Sequence, residues 1–235
     1  MLAKSKVSLS RMLFRYSSEE ARYSEEASGN IHVSDLFNLC PREYFLVRKL
    51  EVKKERIVAP GTRLNWEMGK AMEKVIVGWM VSMGIVKDTQ VVLANEKLGI
   101  VGHCDVRLKN EGLVEIKAKD PALFRMTRHK PLAHDLFQIQ TYLWLDKAKT
   151  GTLLTTTWGQ EKAPYRDMEV NYNLQVPELV KKIVAPIREA EAGGKLPSRV
   201  CGSRQDRRAL LCPVADKCFS QPGEKIKTIG EMIGG

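Results

Sequence analysis

Acidic residues are in short supply in this chain. Twenty-eight Asp and Glu stand against 38 Lys and Arg, leaving a formal net charge of +10 at pH 7 and a pI near 9.4. An imbalance of that size favours a polyanionic partner, nucleic acid first and a membrane surface second. No apolar run approaches the roughly 20 residues that a membrane-spanning helix needs. Cysteine is scarce and odd in number: Cys40, Cys104, Cys201, Cys212 and Cys218. With no signal-peptide pattern ahead of them, they argue against a secreted disulfide framework and for a reducing, cytoplasmic setting. A GxxxxGK[ST] phosphate loop is missing, so any helicase activity must come from a partner. Internal repeats and low-complexity linkers are missing too. What remains, at 235 residues and 43% apolar content, is the composition of one mixed globular domain.

The stretch that carries chemistry is Val101-Gly102-His103-Cys104-Asp105-Val106-Arg107-Leu108, followed by Gly112-Leu113-Val114-Glu115-Ile116-Lys117-Ala118-Lys119. Both halves read as strands, and Asn110-Glu111-Gly112 between them is a turn signal. Alternation sends Glu115 and Lys117 to one face of their strand and Val114 and Ile116 to the other. Two carboxylates and an ammonium on one face are costly inside a fold unless something binds there. A hard divalent cation answers that need, because it takes carboxylate oxygens and leaves positions for water and phosphate. A solvated hairpin face is the plainer alternative.

Read in order, the chain starts with residues 1–18, which hold Lys4, Lys6, Arg11 and Arg15 and no acid; Glu19, Glu20, Glu25 and Glu26 follow. We read 1–30 as a basic N-terminal arm and 31–235 as a single domain. Helical spacing runs from His32 through Leu46, with Ser34 as a cap and Pro41 as an awkward interruption. A second helix spans about Thr62 to Met83, with Leu64, Trp66, Met68, Val75, Ile76 and Trp79 as its apolar side and Glu73 among them. Strands are expected at 90–94, 100–108 and 113–118, a helix at 133–147, strands at 152–158 and 165–170, and a helix at 176–192 ending at Gly193-Gly194. Gln138 and Tyr142, four apart, project from one helix face. The segment after Lys195 shows little regular pattern, and three cysteines cluster in it. The order of elements indicates a mixed α/β domain.

Together these residues resemble the RecB-like branch of the PD-(D/E)XK nuclease superfamily. Gly102-x-x-Asp105 matches its GxxD motif, Glu115-Ile116-Lys117 its (D/E)xK motif, and Gln138-x-x-x-Tyr142 its QxxxY motif. Gly69-Lys70-Ala71-Met72-Glu73 aligns with a glycine-started helical motif that usually ends in His; Glu73 departs from it. One early cysteine and three late ones are the pattern of iron–sulfur members, among them the CRISPR-associated RecB-like exonucleases and the AddB-type helicase–nuclease subunits. The Cys201-x10-Cys212 gap is wider than the usual spacing.

The resemblance implies a restriction-endonuclease-like core, a mixed sheet flanked by helices, closed by a cysteine-rich segment at about 196–220 that returns to Cys40. It implies Mg²⁺ or Mn²⁺ held by Asp105, Glu115 and Glu73, with Lys117 as an electrostatic partner of the scissile phosphate and Gln138 and Tyr142 positioning DNA. It also implies a [4Fe-4S] cluster on Cys40, Cys201, Cys212 and Cys218, structural Zn²⁺ being the alternative. Cys104 reads as core packing. Lys119, Arg125, Arg128, His129 and Lys130 are candidates for a sequence-independent phosphate grip. The expected activity is that of a metal-dependent deoxyribonuclease, an exonuclease on single strands or DNA ends, serving CRISPR adaptation or recombination and repair. CRISPR integration or recombination proteins are the implied partners. A catalytically silent DNA-binding scaffold and a subunit of a helicase–nuclease complex are the other two readings.

Overall fold

The hairpin expected from alternation forms the middle of the molecule. In the computed structural model, which describes residues 8–19, 22–24, 29–52, 55–57 and 59–234, strand β5 (Ile100–Leu108) turns back into β6 (Leu113–Lys119). The Leu108 N–H donates to the Gly112 carbonyl, the Gly112 N–H donates to the Asn110 side chain, and Glu111 takes a left-handed φ of +69°. The remaining elements in chain order are α1 (Leu9–Glu19), β1 (Arg22–Ser24), β2 (Ile31–His32), a 3-10 turn (Val33–Asn38), α2 (Pro41–Lys49), β3 (Glu55–Ile57), α3 (Pro60–Ser82) and β4 (Val86–Asn95). After the hairpin come α4 (Pro121–Met126), α5 (Ala133–Asp146), β7 (Thr150–Thr157), β8 (Tyr165–Asn171), α6 (Val176–Glu191), α7 (Arg207–Leu210), α8 (Ala215–Phe219) and α9 (Ile229–Met232).

Six strands make a mixed sheet. β4 runs antiparallel to β5 along its length, β6 pairs with β5 only at Val106 and Arg107, and β2 pairs in parallel with Ile100 and Val101. β6 and β7 are parallel, and β8 returns antiparallel to β7. The parallel step needs a crossover, which α4 and α5 provide. Asp120 caps α4 by accepting from the Ala122 and Leu123 N–H groups, with Pro121 at the first helical position. Ile139 and Leu143 of α5 and Val180, Ile183 and Ile187 of α6 cover one sheet face at Leu113 and Leu153. Ile76 of α3 covers the other at Val106, Val114 and Ile116. The two-faced alternation read from the sequence of β6 is thus the alternation that packs.

Three expectations change. Pro41 does not interrupt a helix but starts one: it occupies the first position of α2 with Cys40 as the preceding cap, where its missing N–H has no partner to lose. The apparent run from His32 to Leu46 is therefore a short strand, a 3-10 turn and α2. On α3, Leu64, Trp66, Val75 and Trp79 are exposed, and Ile76 with Val77 and Met80 makes the contact to the sheet. The tail folds into three short helices anchored on α2 and α6, where Val214 and Cys218 pack with Phe45, Leu46, Val47 and Ala190. Of the arm expected over residues 1–30, α1, β1 and Gly29-Asn30 are described, β1 pairing antiparallel with β3; residues 1–7, 20–21 and 25–28 lie outside the described residues. Among the described residues no helix is long and apolar enough to cross a membrane.

Candidate active site

The site begins where the hairpin comes apart. β5 and β6 exchange ladder pairs at Val106–Val114 and Arg107–Leu113 and then stop. Beyond that point the Asp105 carboxylate takes the place of a backbone acceptor and receives the Ile116 N–H at 2.6 Å. This fixes a buried acid against the strand that carries Glu115 and Lys117. Glu115 is 2% exposed; its Oε1 lies 2.8 Å from the Lys117 ammonium, while its Oε2 is buried with no protein partner. Lys117 also donates to Gln138 Oε1 (2.8 Å), Gln138 Nε2 donates to the Tyr142 hydroxyl (3.0 Å), and that hydroxyl donates to the His103 carbonyl (3.0 Å). Four of the sequence motifs' polar residues are therefore one hydrogen-bonded chain from β6 through α5 to β5.

Gly102 explains how the chain closes. A Cβ there would sit 2.6 Å from the Tyr142 ring and 2.8 Å from Val33 Cγ2, so only glycine lets the tyrosine reach the strand. Gly69, by contrast, faces open space, and nothing around it requires a glycine.

The electrostatics show a site with too much negative charge. Burial pushes the Asp105 carboxyl up to about 8, with the charges of Glu115 and Glu73 adding to it. Burial also raises Glu115, and the adjacent Lys117 does not cancel the effect. Burial alone would depress Lys117, but Glu115, Asp135 and Asp105 outweigh it and hold the ammonium charged. Lys117 and Lys119 thus stand among four acids, Asp105, Glu115, Asp135 and the nearby Glu73. Two buried carboxylates with an orphaned oxygen are hard donors of the kind Mg²⁺ and Mn²⁺ accept, so the residues fit such an ion. Glu73 is the exception to convergence: its Oε1 accepts from Gln90 Nε2 at 2.9 Å, and among the described residues no three His, Cys, Asp or Glu side chains come together closely enough to hold one ion.

Gln90 was not singled out from the sequence. It lies between the ladder pairs Thr89–Val106 and Val91–Cys104, hence opposite Asp105, and has φ +50° in the middle of β4. A glutamine in the left-handed region inside a strand is held there at a cost of order 1–3 kcal/mol, and such residues concentrate at working sites. No sequence signal announces it. Asp135 was missed as well, although its spacing of three and seven residues before Gln138 and Tyr142 puts it on their helix face. It is 2% exposed and takes the Lys119 ammonium at 2.6 Å, with His134 on its other oxygen. Lys119, expected in the phosphate grip, is consequently buried in an internal pair, and Arg125 is tied to Glu161 (2.6 Å). Arg128, His129 and Lys130 remain at the surface.

The five cysteines fall in two places. Cys104 is fully buried in the sheet, its thiol donating to the Val114 carbonyl. Cys40 precedes α2 and acts electrostatically on Cys201, Cys212 and Cys218 of the tail, with Cys212 half-buried and the others buried. Among the described residues no three of the four come together closely enough to hold one ion. Burial pushes Cys201 and Cys212 up to about 11, and the charge of Cys40 raises all three tail thiols. The corner is fastened by a residue sequence reading passed over. Arg42, 1% exposed, donates Nε to the Pro197 carbonyl (2.6 Å) and its other nitrogens to the carbonyls of Cys218, Gln221 and Pro222 (3.0–3.4 Å). Its place directly after Cys40-Pro41 was the available clue.

Neither a protein-family model nor a curated protein sequence matches the chain. Solved structures do. SSO0001 is 20% identical with a TM-score of 0.51, over 89% of this chain and 95% of its own. The alkaline exonuclease of Laribacter hongkongensis is 14% identical with a TM-score of 0.56, over 76% of this chain and 93% of its own. The same exonuclease in complex with dAMP gives 16%, 0.54, 74% and 93%. At these identities the likeness speaks for the fold: this chain shares the mixed α/β architecture of an exonuclease.

Proposed function

We propose that this protein is a divalent-metal-dependent DNA nuclease of the RecB-like PD-(D/E)XK type, acting on single strands or DNA ends. One observation carries the reading: the buried Glu115 carboxylate, one oxygen on Lys117 and the other without a partner, lies near enough to the buried Asp105 for its charge to raise that acid's pKa. Asp105 and Glu115 would hold Mg²⁺ or Mn²⁺, with Glu73 nearby. Such an ion lowers the pKa of a bound water and offsets the charge on the phosphate. Lys117 stays protonated and places its ammonium against a phosphate oxygen as charge builds there. Gln138 and Tyr142 fix the direction in which Lys117 points. The fold shared with an exonuclease, one form of which binds dAMP, supports DNA as the substrate, as does the net charge of +10.

The four-cysteine corner is proposed as the seat of a [4Fe-4S] cluster on Cys40, Cys201, Cys212 and Cys218 that clips the two ends of the domain. The charge of Cys40 acting on each of the three tail thiols supports grouping these four residues at one corner, and structural zinc is the alternative occupant. Genome work on adaptation or recombination, in the cytoplasm with the corresponding proteins, is the role that suits this site.

End-labelled DNA digestion by the parent and Glu115→Ala, with Mg²⁺, Mn²⁺ or EDTA, tests the reading. Metal-dependent cleavage lost in the variant is expected; cleavage that survives it would overturn the assignment. Anaerobic protein should be brown with about four irons per chain, and one zinc in colourless protein would overturn the cluster alone.

A further inference from the structure

The sheet face that carries Lys117 continues sideways. Lys117 on β6 stands opposite Thr155 on β7, and Thr155 stands opposite Arg166 on β8. Directly opposed residues share a face, so the three form a row leading away from the carboxylates. The row opens into a cavity of about 390 Å³ between β7, β8 and the loop joining α4 to α5. Arg128 and His129 border it from the loop, Thr155 and Arg166 from the sheet, and Leu153 and Met168 give it an apolar wall. Its size lies within the range of pockets that take small ligands.

The charge inside it is unusual for this molecule. The Arg166 guanidinium lies 3.5 Å from the centre of the Phe124 ring, which is 1% exposed and hence fixed. That stack is its interaction; neither an ion pair nor a side-chain hydrogen bond engages Arg166, Arg128 or His129 among the described residues. Two of the other basic residues after the hairpin are neutralised, Lys119 by Asp135 and Arg125 by Glu161. Asp167 also borders the cavity, but its place opposite Leu154 turns its side chain to the other face of the sheet. Stacking holds the guanidinium plane while leaving its edge of donors open, the geometry that suits a phosphate's oxygens.

We propose that this recess seats the nucleotide next to the scissile phosphate, with Arg166 and Arg128 gripping its phosphate and Leu153 and Met168 lying against its sugar and base. The inference rests on the nuclease reading of the carboxylate site and extends it. Guanidiniums placed on a phosphate read no base, so the grip they give is sequence-independent.

Fluorescence anisotropy of a labelled single-stranded oligonucleotide tests it on Glu115→Gln protein with and without Arg166→Leu, which keeps an apolar group on Phe124. Arg166→Leu should weaken binding about tenfold and flatten the salt dependence by about one unit of log K against log [salt]. Arg166→Lys should restore the salt slope but only part of the affinity. In cleavage-competent protein, Arg166→Leu should raise KM while leaving kcat within about twofold. Arg128→Ala, an exposed position, repeats the binding measurement should Arg166→Leu fail to fold. Unchanged affinity and salt slope would overturn the recess. Metal-dependent cleavage together with that result leaves the nuclease reading standing, whereas weakened binding in a protein whose parent cleaves nothing keeps the recess and removes the nuclease.

Discussion

The carboxylate site and the cysteine corner solve the problem of assembling polar groups in opposite ways. In the first, Asp105 and Glu115 are ten positions apart on one hairpin, and Lys117, Gln138 and Tyr142 follow within a short span, so a turn and one crossover bring them together. In the second, Cys40 meets Cys218 across most of the chain, and the closure depends on one buried guanidinium that hydrogen-bonds four backbone carbonyls. The lesson concerns what each site leaves unsatisfied. The hairpin site stores excess negative charge and an unpartnered oxygen. The corner gives four of its carbonyls the donors of Arg42 and keeps its thiols raised by burial.

Perturbing the two sites separately should sharpen that contrast. The largest effect is expected for Glu115→Gln, which should lower kcat by at least about 10²–10³-fold, the scale for losing one group that stabilises transition-state charge. The same change relieves a buried acid, so its melting temperature in EDTA at pH 8 should equal or exceed the parent's; a fall would break the account of stored charge.

Next in size, Arg42→Ala should cost about 3–5 kcal/mol in denaturant unfolding, because several buried carbonyls lose their donor together. Gly223 packs against the guanidinium and cannot fill the gap. Arg42→Lys should recover part of it. An exposed-site magnitude of a few tenths would show that the tail is held by the cysteines alone.

Gly102→Ala comes third. Its Cβ would clash with Tyr142 and Val33, costing about 1–3 kcal/mol through overpacking, and it should lower activity by displacing Tyr142 and Gln138. Activity unchanged alongside a lower melting temperature would separate the tyrosine from Lys117.

The pH response is subtler. Asp105 binds its proton up to about 8 in the folded protein and only to about 4 when unfolded. The folded state therefore carries more protons, and metal-free stability should fall as pH rises from about 4 to about 8, a slope that Asp105→Asn should reduce while the raised Glu115 keeps part of it. Mg²⁺ must displace that proton, so its stabilising effect in thermal melts should grow over the same interval. A metal effect that shrinks with rising pH would exclude Asp105 as a ligand. The smallest change is expected for Gln90→Gly, which frees a left-handed residue and should alter stability by about 1 kcal/mol or less, while weakening Mn²⁺ binding through the released Glu73.

Much of the fold was legible because its elements alternate cleanly. β5 and the polar face of β6 fall where period-two patterning puts them, and α5 begins at Ala133 as expected. The mixed pattern around Pro41 misled because helical spacing continues across a strand, a 3-10 turn and a new helix. Lys119 read as a surface cation because nothing local reveals that Asp135 lies beneath it.

By itself the sequence determined the hairpin, the identity of its acids and ammonium, and the spacing that aligns Gln138 with Tyr142, since these follow from two- and four-residue periodicities. Only the tertiary structure decided that Asp105 would replace a ladder acceptor, that Gln90 would be forced into a left-handed turn opposite it, that Arg42 would knit the tail, and that Arg166 would stack without an acid. Each of these depends on what another strand or helix delivers to the same few ångströms, and chain-distant packing leaves no periodic trace.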